Sequence, residues 1–174
     1  MRDAEPGDAA EIARVHITSW QGAYTHAFSA EALDGLSDQH ASRTLQWERW
    51  LREERVRSAV LVAAREGEVV GFVHGGPARD DDVDGMRVSE LAAIYVTPDA
   101  WGLGAGQLLM EAFLERMRAF GFSEAVLWVL DDNPRARRFY EAAGWRVDAA
   151  EKDDVLLGTP VREVRYRISL TTAP

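Results

Sequence analysis

ELAAIYVTPDAWGLGAGQLLM, residues 90–110, joins a strand pattern, a glycine-dense turn and a helix pattern without a gap. Residues 90–96 are short and mostly apolar, and Ile94, Tyr95 and Val96 favour a pleated strand that Pro98 brings to an end. Gly102, Gly104 and Gly106 follow, and from Gln107 the apolar spacing is helical through Leu109, Met110, Phe113, Leu114 and Met117. Such a turn offers unpaired backbone N–H groups and the positive end of a helix dipole, for which phosphate is the usual occupant. A Walker-type loop needs Lys and then Ser or Thr after its last glycine, but Gln107 and Leu108 follow Gly106. The dinucleotide fingerprint needs glycine where Gln107 stands.

The remaining pattern resembles the pyrophosphate loop of the GNAT superfamily of acyl-CoA-dependent N-acetyltransferases: Arg or Gln, two residues, Gly, one residue, then Gly or Ala. Trp101, Gly104 and Gly106 take its fixed places. Trp101 departs from the pattern at the first of them and leaves the amide-rich turn intact. A second segment, NPRARRFYEAAGW at residues 133–145, lies one strand beyond the glycine helix and is similar to the family's second cofactor-binding segment, with Asn133, Ala136, Phe139-Tyr140 and Gly144-Trp145 in order. The two motifs together make the resemblance specific over residues 88–147, and the earlier part of the chain follows by element order.

The order of elements supports that fold. Asp8 to Glu11 reads as a capping box that opens a helix running to about residue 24, with Trp20, Tyr24 and Phe28 recurring every four residues. Ser29 caps a short helix over residues 30–36, and Ser37 starts another that runs to about residue 54. Residues 59–65 and 69–74 read as a hairpin around Glu66-Gly67-Glu68, and Gly75, Gly76 and Pro77 end it. Residues 77–85 hold Asp80, Asp81, Asp82 and Asp84 and read as a solvated, mobile loop that could attract a cationic acceptor. Its likeness to a calcium loop fails at Leu91, where that loop requires a Glu ligand. The glycine helix ends near Gly121, residues 125–130 form a strand, and Asn133-Pro134 caps a helix that stops at Gly144. Residues 145–147 read as a strand, 151–158 as a polar loop and 161–170 as a closing strand. The expected fold is a single α/β domain over residues 1–174, a GNAT-type sandwich with a mixed, mostly antiparallel central sheet flanked by helices.

Composition excludes several classes. At 47% apolar and 28% charged residues the chain is an ordinary globular protein, and no stretch approaches the ~20 apolar residues of a spanning helix. The acidic start MRDAEPGDAAE lacks the pattern of a signal peptide, so a cytoplasmic address is expected. A net charge of −9 argues against a nucleic-acid partner. The chain has no cysteine, which removes disulfides, thiol nucleophiles and thiolate metal sites, and the histidines His16, His26, His40 and His74 have no ligand spacing, so no metal is expected.

The resemblance implies an acetyl-CoA co-substrate and the following roles. Backbone groups of Ile94, Tyr95 and Val96 pair with the pantetheine arm, the turn from Gly102 through Leu103, Gly104, Ala105 and Gly106 to Gln107 holds the pyrophosphate, and Asn133 contacts the cofactor. Tyr140 stands near the sulfur to hydrogen-bond or protonate the leaving thiolate, and Glu90 is the candidate base for the amine. Trp20 and Tyr24 shape the acceptor site. A small-molecule amine is the expected acceptor, on a looser likeness to the phosphinothricin-type branch. A protein N-terminus or lysine, or a sensor module that binds acyl-CoA without turnover, are the alternatives. Relatives often pair, so a homodimer is among the expectations.

Overall fold

The computed structural model describes residues 1–171. They form two compact units, Met1–His74 with Ala93–Phe113, and Gly75–Ala92 with the chain from Leu114 on. The elements run in order β1 (Arg2–Asp3), α1 (Ala9–Ala23), α2 (Ala30–Asp34), α3 (His40–Arg52), β2 (Ala59–Arg65), β3 (Glu68–Pro77), β4 (Val88–Val96), α4 (Ala105–Ala119), β5 (Glu124–Leu130), α5 (Pro134–Ala142), β6 (Arg146–Leu156) and β7 (Thr159–Ser169). The strands pair in the order β1-β2-β3-β4-β5-β7-β6. β4 runs parallel to β5 where Val88, Ser89 and Glu90 face Glu124, Ala125 and Val126, whereas β1 on β2, β5 on β7 and β6 on β7 are antiparallel. This is the mixed, mostly antiparallel α/β sheet with helices that the sequence predicts. Among the described residues no helix is long and apolar enough to cross a membrane.

In the first unit Ile12 and Val15 of α1 meet Val60, Val62, Val69 and Phe72 of β2 and β3 in a closed cluster. The three-residue step of Ile12 and Val15 lays one face of α1 on the strands, and each such side chain contributes about 1.5–3 kcal/mol on leaving water. The second unit closes around Leu127 of β5, Tyr166 of β7 and Trp145, all fully buried. α4 ends as expected: Phe122 N–H reaches Met117 O at 3.2 Å and Gly121 N–H reaches Arg118 O at 2.9 Å, with Gly121 at φ +82°.

Local signals misplace several boundaries. Asp8 does not cap α1; its carboxylate takes two hydrogen bonds from Arg2, at 2.6 and 2.7 Å, and one from Glu5 N–H at 2.8 Å, while Glu11 pairs with Arg14. Ser29 does cap α2, accepting from Ala32 N–H at 3.2 Å, but Ser37 accepts from Gln21 Nε2 at 3.1 Å and α3 starts later, at His40. β3 continues through Gly75, Gly76 and Pro77. The expected polar loop at residues 151–158 is mostly strand: β6 runs to Leu156 and turns at Leu157 and Gly158, whose φ values are +49° and +75°. Facing charges add to its backbone ladder, with Lys152 opposite Glu163 at 3.2 Å and Arg162 opposite Asp153 at 3.1 Å in register. β6 stands at the edge of the sheet, where such charges are tolerated.

The acidic loop after β3 is not simply solvated. Arg165 on β7, 3% exposed, donates to Asp80 at 3.0 Å, to both oxygens of Asp82 at 2.7 and 2.6 Å, and to Asp148 at 3.0 Å. Trp128 Nε1 also donates to Asp80 at 3.1 Å, and Lys152 Nζ lies 4.3 Å from the centre of the Trp128 ring. The hydrogen bonds to Asp82 and its neighbours raise the Arg165 pKa, and Arg165 in turn lowers that of Asp82. The loop is therefore a clasp. Arg165→Ala removes a buried cation and leaves three neighbouring carboxylates, of which Asp82 can rehydrate; we expect a loss of about 2–4 kcal/mol in urea unfolding with an unchanged m value. An unaltered midpoint would contradict the clasp.

Candidate functional site

The end of β4 fixes the first unit's site. Thr97 N–H donates to Val70 O of β3 at 2.9 Å, and Tyr95 O faces Gly71 of the same strand. The Tyr95 carbonyl therefore lies against β3. The Val96 carbonyl then accepts from Ser19 Oγ of α1 at 2.9 Å and from Trp101 Nε1 at 2.6 Å. Of the three residues expected to meet the pantetheine arm, Val96 has its carbonyl engaged by Ser19 and Trp101, and Tyr95 has its ring stacked on His16.

Trp101 starts the turn in extended geometry, and its ring lies against Gly22 of α1, where a Cβ would come within 3.1 Å of it and 2.7 Å of Pro98. Gly102 and Gly104 follow at φ +77° and +89°, values side chains rarely adopt, and Gly102, Leu103 and Gly104 are exposed. A Cβ on either glycine would meet nothing within 4 Å, so conformation rather than crowding requires them. Leu108 N–H makes the first helical bond, to Gly104 O at 3.1 Å. The amides of Ala105, Gly106 and Gln107 therefore have no carbonyl one turn back, at the positive end of a 15-residue helix. That donor set suits the diphosphate of acetyl-CoA. The Gln107 side chain is occupied with Glu111 at 2.9 Å.

α1 adds rings. The helix stops at Ala23, yet Trp20, Tyr24 and Phe28 still pack, with centroids 4.8 Å apart for Trp20 and Tyr24 and 5.9 Å apart for each with Phe28. Phe28 is buried, while Trp20 and Tyr24 are half-exposed. His16 lies one turn before Trp20 and has no metal-ligand spacing, but it belongs to this ring cluster. Its ring stacks on Tyr95 at 4.8 Å and lies 5.9 Å from Trp20 and 6.1 Å from Phe72. The four-residue step from His16 to Trp20 was the available signal. Burial, with Arg43 and His74 nearby, lowers the His16 pKa to about 3, so the ring is neutral at physiological pH.

The second unit holds the other predicted residues. Glu90 on β4 is 13% exposed at its side chain, and both its oxygens accept from Arg79, at 3.0 and 3.1 Å. The Glu90 contact raises the Arg79 pKa. To take a proton from an amine, Glu90 must release this clamp or act through water. Asn133 is buried and spends its Oδ1 on the cap of α5, accepting from Ala136 N–H at 3.0 Å. Tyr140, 9% exposed, packs with centroids 6.3 Å from both Trp145 and Tyr166. Among the described residues no group of three or more His, Asp or Glu is arranged to hold a metal ion.

The model of the Acetyltransferase (GNAT) family matches residues 17–145. An uncharacterized N-acetyltransferase of Bacillus subtilis, YuaI, is 30% identical over 94% of this chain and 89% of its own length. A mycothiol acetyltransferase of Sanguibacter keddieii is 32% identical over 73% of this chain and 39% of its own length. In fold the chain is similar to the PaiA N-acetyltransferase of Thermoplasma acidophilum in complex with coenzyme A, with TM-score 0.73 at 20% identity over 94% and 95% of the two chains.

The half-buried histidine sets a pH dependence. Its folded pKa of about 3 lies below the ordinary 6.5, so between those values the unfolded chain binds a proton that the folded one refuses. This stability contribution is complete above the unfolded pKa and is lost as pH falls towards about 3. His16→Phe should flatten the dependence of unfolding free energy on pH between about 6 and 4, by up to about 1.4 kcal/mol per pH unit. Equal slopes in parent and variant would contradict the assignment.

Proposed function

The chain belongs to the GNAT acetyltransferase family and is an acetyl-CoA-dependent N-acetyltransferase, and from that premise we propose that its acceptor is a primary amine of a small molecule, attacked directly while both substrates are bound. The observation that carries this reading is the pairing, in one unit, of three unspent amides at Ala105, Gly106 and Gln107 with the half-exposed rings of Trp20 and Tyr24. Acetyl-CoA supplies an acetyl group activated as a thioester. In this proposal the amides hold the diphosphate, Gly102, Leu103 and Gly104 shape their turn, and Ile94 and Val96 pair with the pantetheine arm beside the Tyr95 ring. Asn133 supports the cofactor through the start of α5. Trp20 and Tyr24 hold the apolar part of the acceptor.

The reaction forms a C–N bond and breaks a C–S bond, so the amine must lose a proton and the departing sulfur must gain one. An alkyl ammonium near pKa ~10 is almost wholly protonated at neutral pH, which calls for a base. Glu90 takes that role, directly once Arg79 swings away or through water, and the Tyr140 hydroxyl serves the sulfur. Binding both substrates together supplies proximity, and no acetylated residue is needed. A relative named mycothiol acetyltransferase supports a small acceptor over a protein amine. The proposed setting is the cytoplasm, with two copies pairing.

Release of free CoA across a panel of small amines tests the reading, and at least one amine should exceed the hydrolytic background. Background rates for every amine, with acetyl-CoA binding intact, would favour a sensor. Gly104→Glu sets a side chain at φ +89° and a carboxylate before the amides, so calorimetry should show acetyl-CoA affinity falling by about tenfold or more. Tyr140→Phe should lower kcat by about tenfold or more while the KM for acetyl-CoA holds. Unchanged turnover would remove Tyr140 from its role.

A further inference from the structure

Beside the ring wall of α1 stands a cation that the proposed chemistry has not used. Arg43 of α3 is half-buried, its Nη1 lies 3.4 Å from His16 Nδ1, and its Nη2 donates to Gln39 Oε1 at 3.1 Å. Arginine only donates, so His16 Nδ1 is the acceptor and its other nitrogen carries the proton. Arg43 Nε is fully buried with no hydrogen-bond partner, and so is Trp20 Nε1 on the other side of His16. Among the described residues no carboxylate pairs with Arg43, although Arg2, Arg14, Arg79, Arg137, Arg162, Arg165 and Arg167 all have one. Burial lowers the Arg43 pKa, the expected cost of a cation without a counter-ion, and the Tyr95 phenol only partly offsets it.

Resting on the acyl-transfer reading above, we propose that Arg43 binds a carboxylate of the acceptor, which is then an amino acid or another amine that carries a carboxylate and an apolar body. The chemistry of the cluster selects this class. Arg43 Nε–H and Trp20 Nε1–H, buried and unpaired, are donors, and so are the Nη groups of the half-buried Arg43, so the matching ligand group is rich in acceptors. The guanidinium fork fits two oxygens in a plane, and both Nη atoms keep a second N–H to offer. His16, neutral, brings no competing charge. Arg43 is itself only half-buried, and the half-exposed rings of His16, Trp20, Tyr24 and Tyr95, packed one on the next, offer apolar faces beside it.

The test compares L-leucine with L-leucinamide and 3-methylbutylamine, and L-phenylalanine with its amide and 2-phenylethylamine, by CoA release from the full chain. The parent should favour the acids over their amides by about tenfold or more in kcat/KM, chiefly through KM. The amides' less basic amines are more often neutral at a given pH, which biases the comparison against this result. Arg43→Gln should bring the acid-to-amide ratio close to one, and Arg43→Lys should restore part of it; acetyl-CoA calorimetry reports that both variants fold. A parent that prefers the amides, or an Arg43→Gln ratio equal to the parent's, overturns the proposal while leaving acyl transfer standing. If no amine is acetylated, quenching of tryptophan fluorescence by L-leucine decides separately. Saturable quenching in the parent that Arg43→Gln weakens upholds the carboxylate site without the acyl transfer, and its absence overturns the site as well.

Discussion

One carbonyl oxygen ties the first unit's site together. Val96 O accepts from Ser19 on α1 at 2.9 Å and from Trp101 at the start of the glycine turn at 2.6 Å. A carbonyl has two lone-pair directions, and both are used here, so the end of β4, the ring-bearing helix and the turn are held to one atom. Each bond is worth only about 0.5–1.5 kcal/mol in stability, but leaving one of these buried groups unpaired would cost more. The arrangement also accounts for Trp101. Where the family pattern has Arg or Gln, this chain uses an indole whose N–H anchors the turn to the strand and whose ring fills the space above Gly22.

The second unit solves a different problem, that of holding an acidic loop. Asp80, Asp81, Asp82 and Asp84 repel one another, and a loop of such residues would be mobile in isolation. Arg165 and Trp128 convert it into an ordered segment by drawing Asp80 and Asp82 onto the sheet. Arg79, next to Asp80 in sequence, is thereby kept where its fork meets Glu90. The position of the candidate base is thus tied to a hydrogen-bond network on β7, far along the chain, and the loop that Arg165 orders is the one that carries Arg79 to Glu90.

Elements whose signals are local were legible in the sequence. The strand, turn and helix at residues 90–110, the Ser29 and Asn133 caps and the Gly121 stop all depend on residues within a few positions of one another. Errors came where a distant or competing partner decided the outcome. Arg2 took Asp8 from the expected capping box, Gln21 took Ser37, and β6 paired through charges that read as a loop when β7 was not yet beside them. The same reason hid Arg43 and His16: neither carries a motif, and their meaning arises only when α1, α3 and β4 meet. Family likeness singled out Glu90 and Tyr140 as candidates, and neither the Arg79 clamp nor the packing of Tyr140 on Tyr166 could be read from spacing.

Net charge is a whole-chain quantity and does not describe the surroundings of any one group. The chain carries −9, which suggests attraction for cations. Yet many of its acids are already committed to arginines, as Asp8, Asp80, Asp82, Asp148 and Glu90 show. Unspent donors in the first unit have the opposite polarity: three amides at a helix start, an indole N–H and the Nε–H of a guanidinium that no carboxylate pairs among the described residues. Amide and guanidinium donors act over contact distances in partly dry surroundings, whereas exposed carboxylates elsewhere are screened within about 8–10 Å by salt. An acidic protein can therefore gather unpaired donors locally, and in this unit the backbone contributes them as much as side chains do.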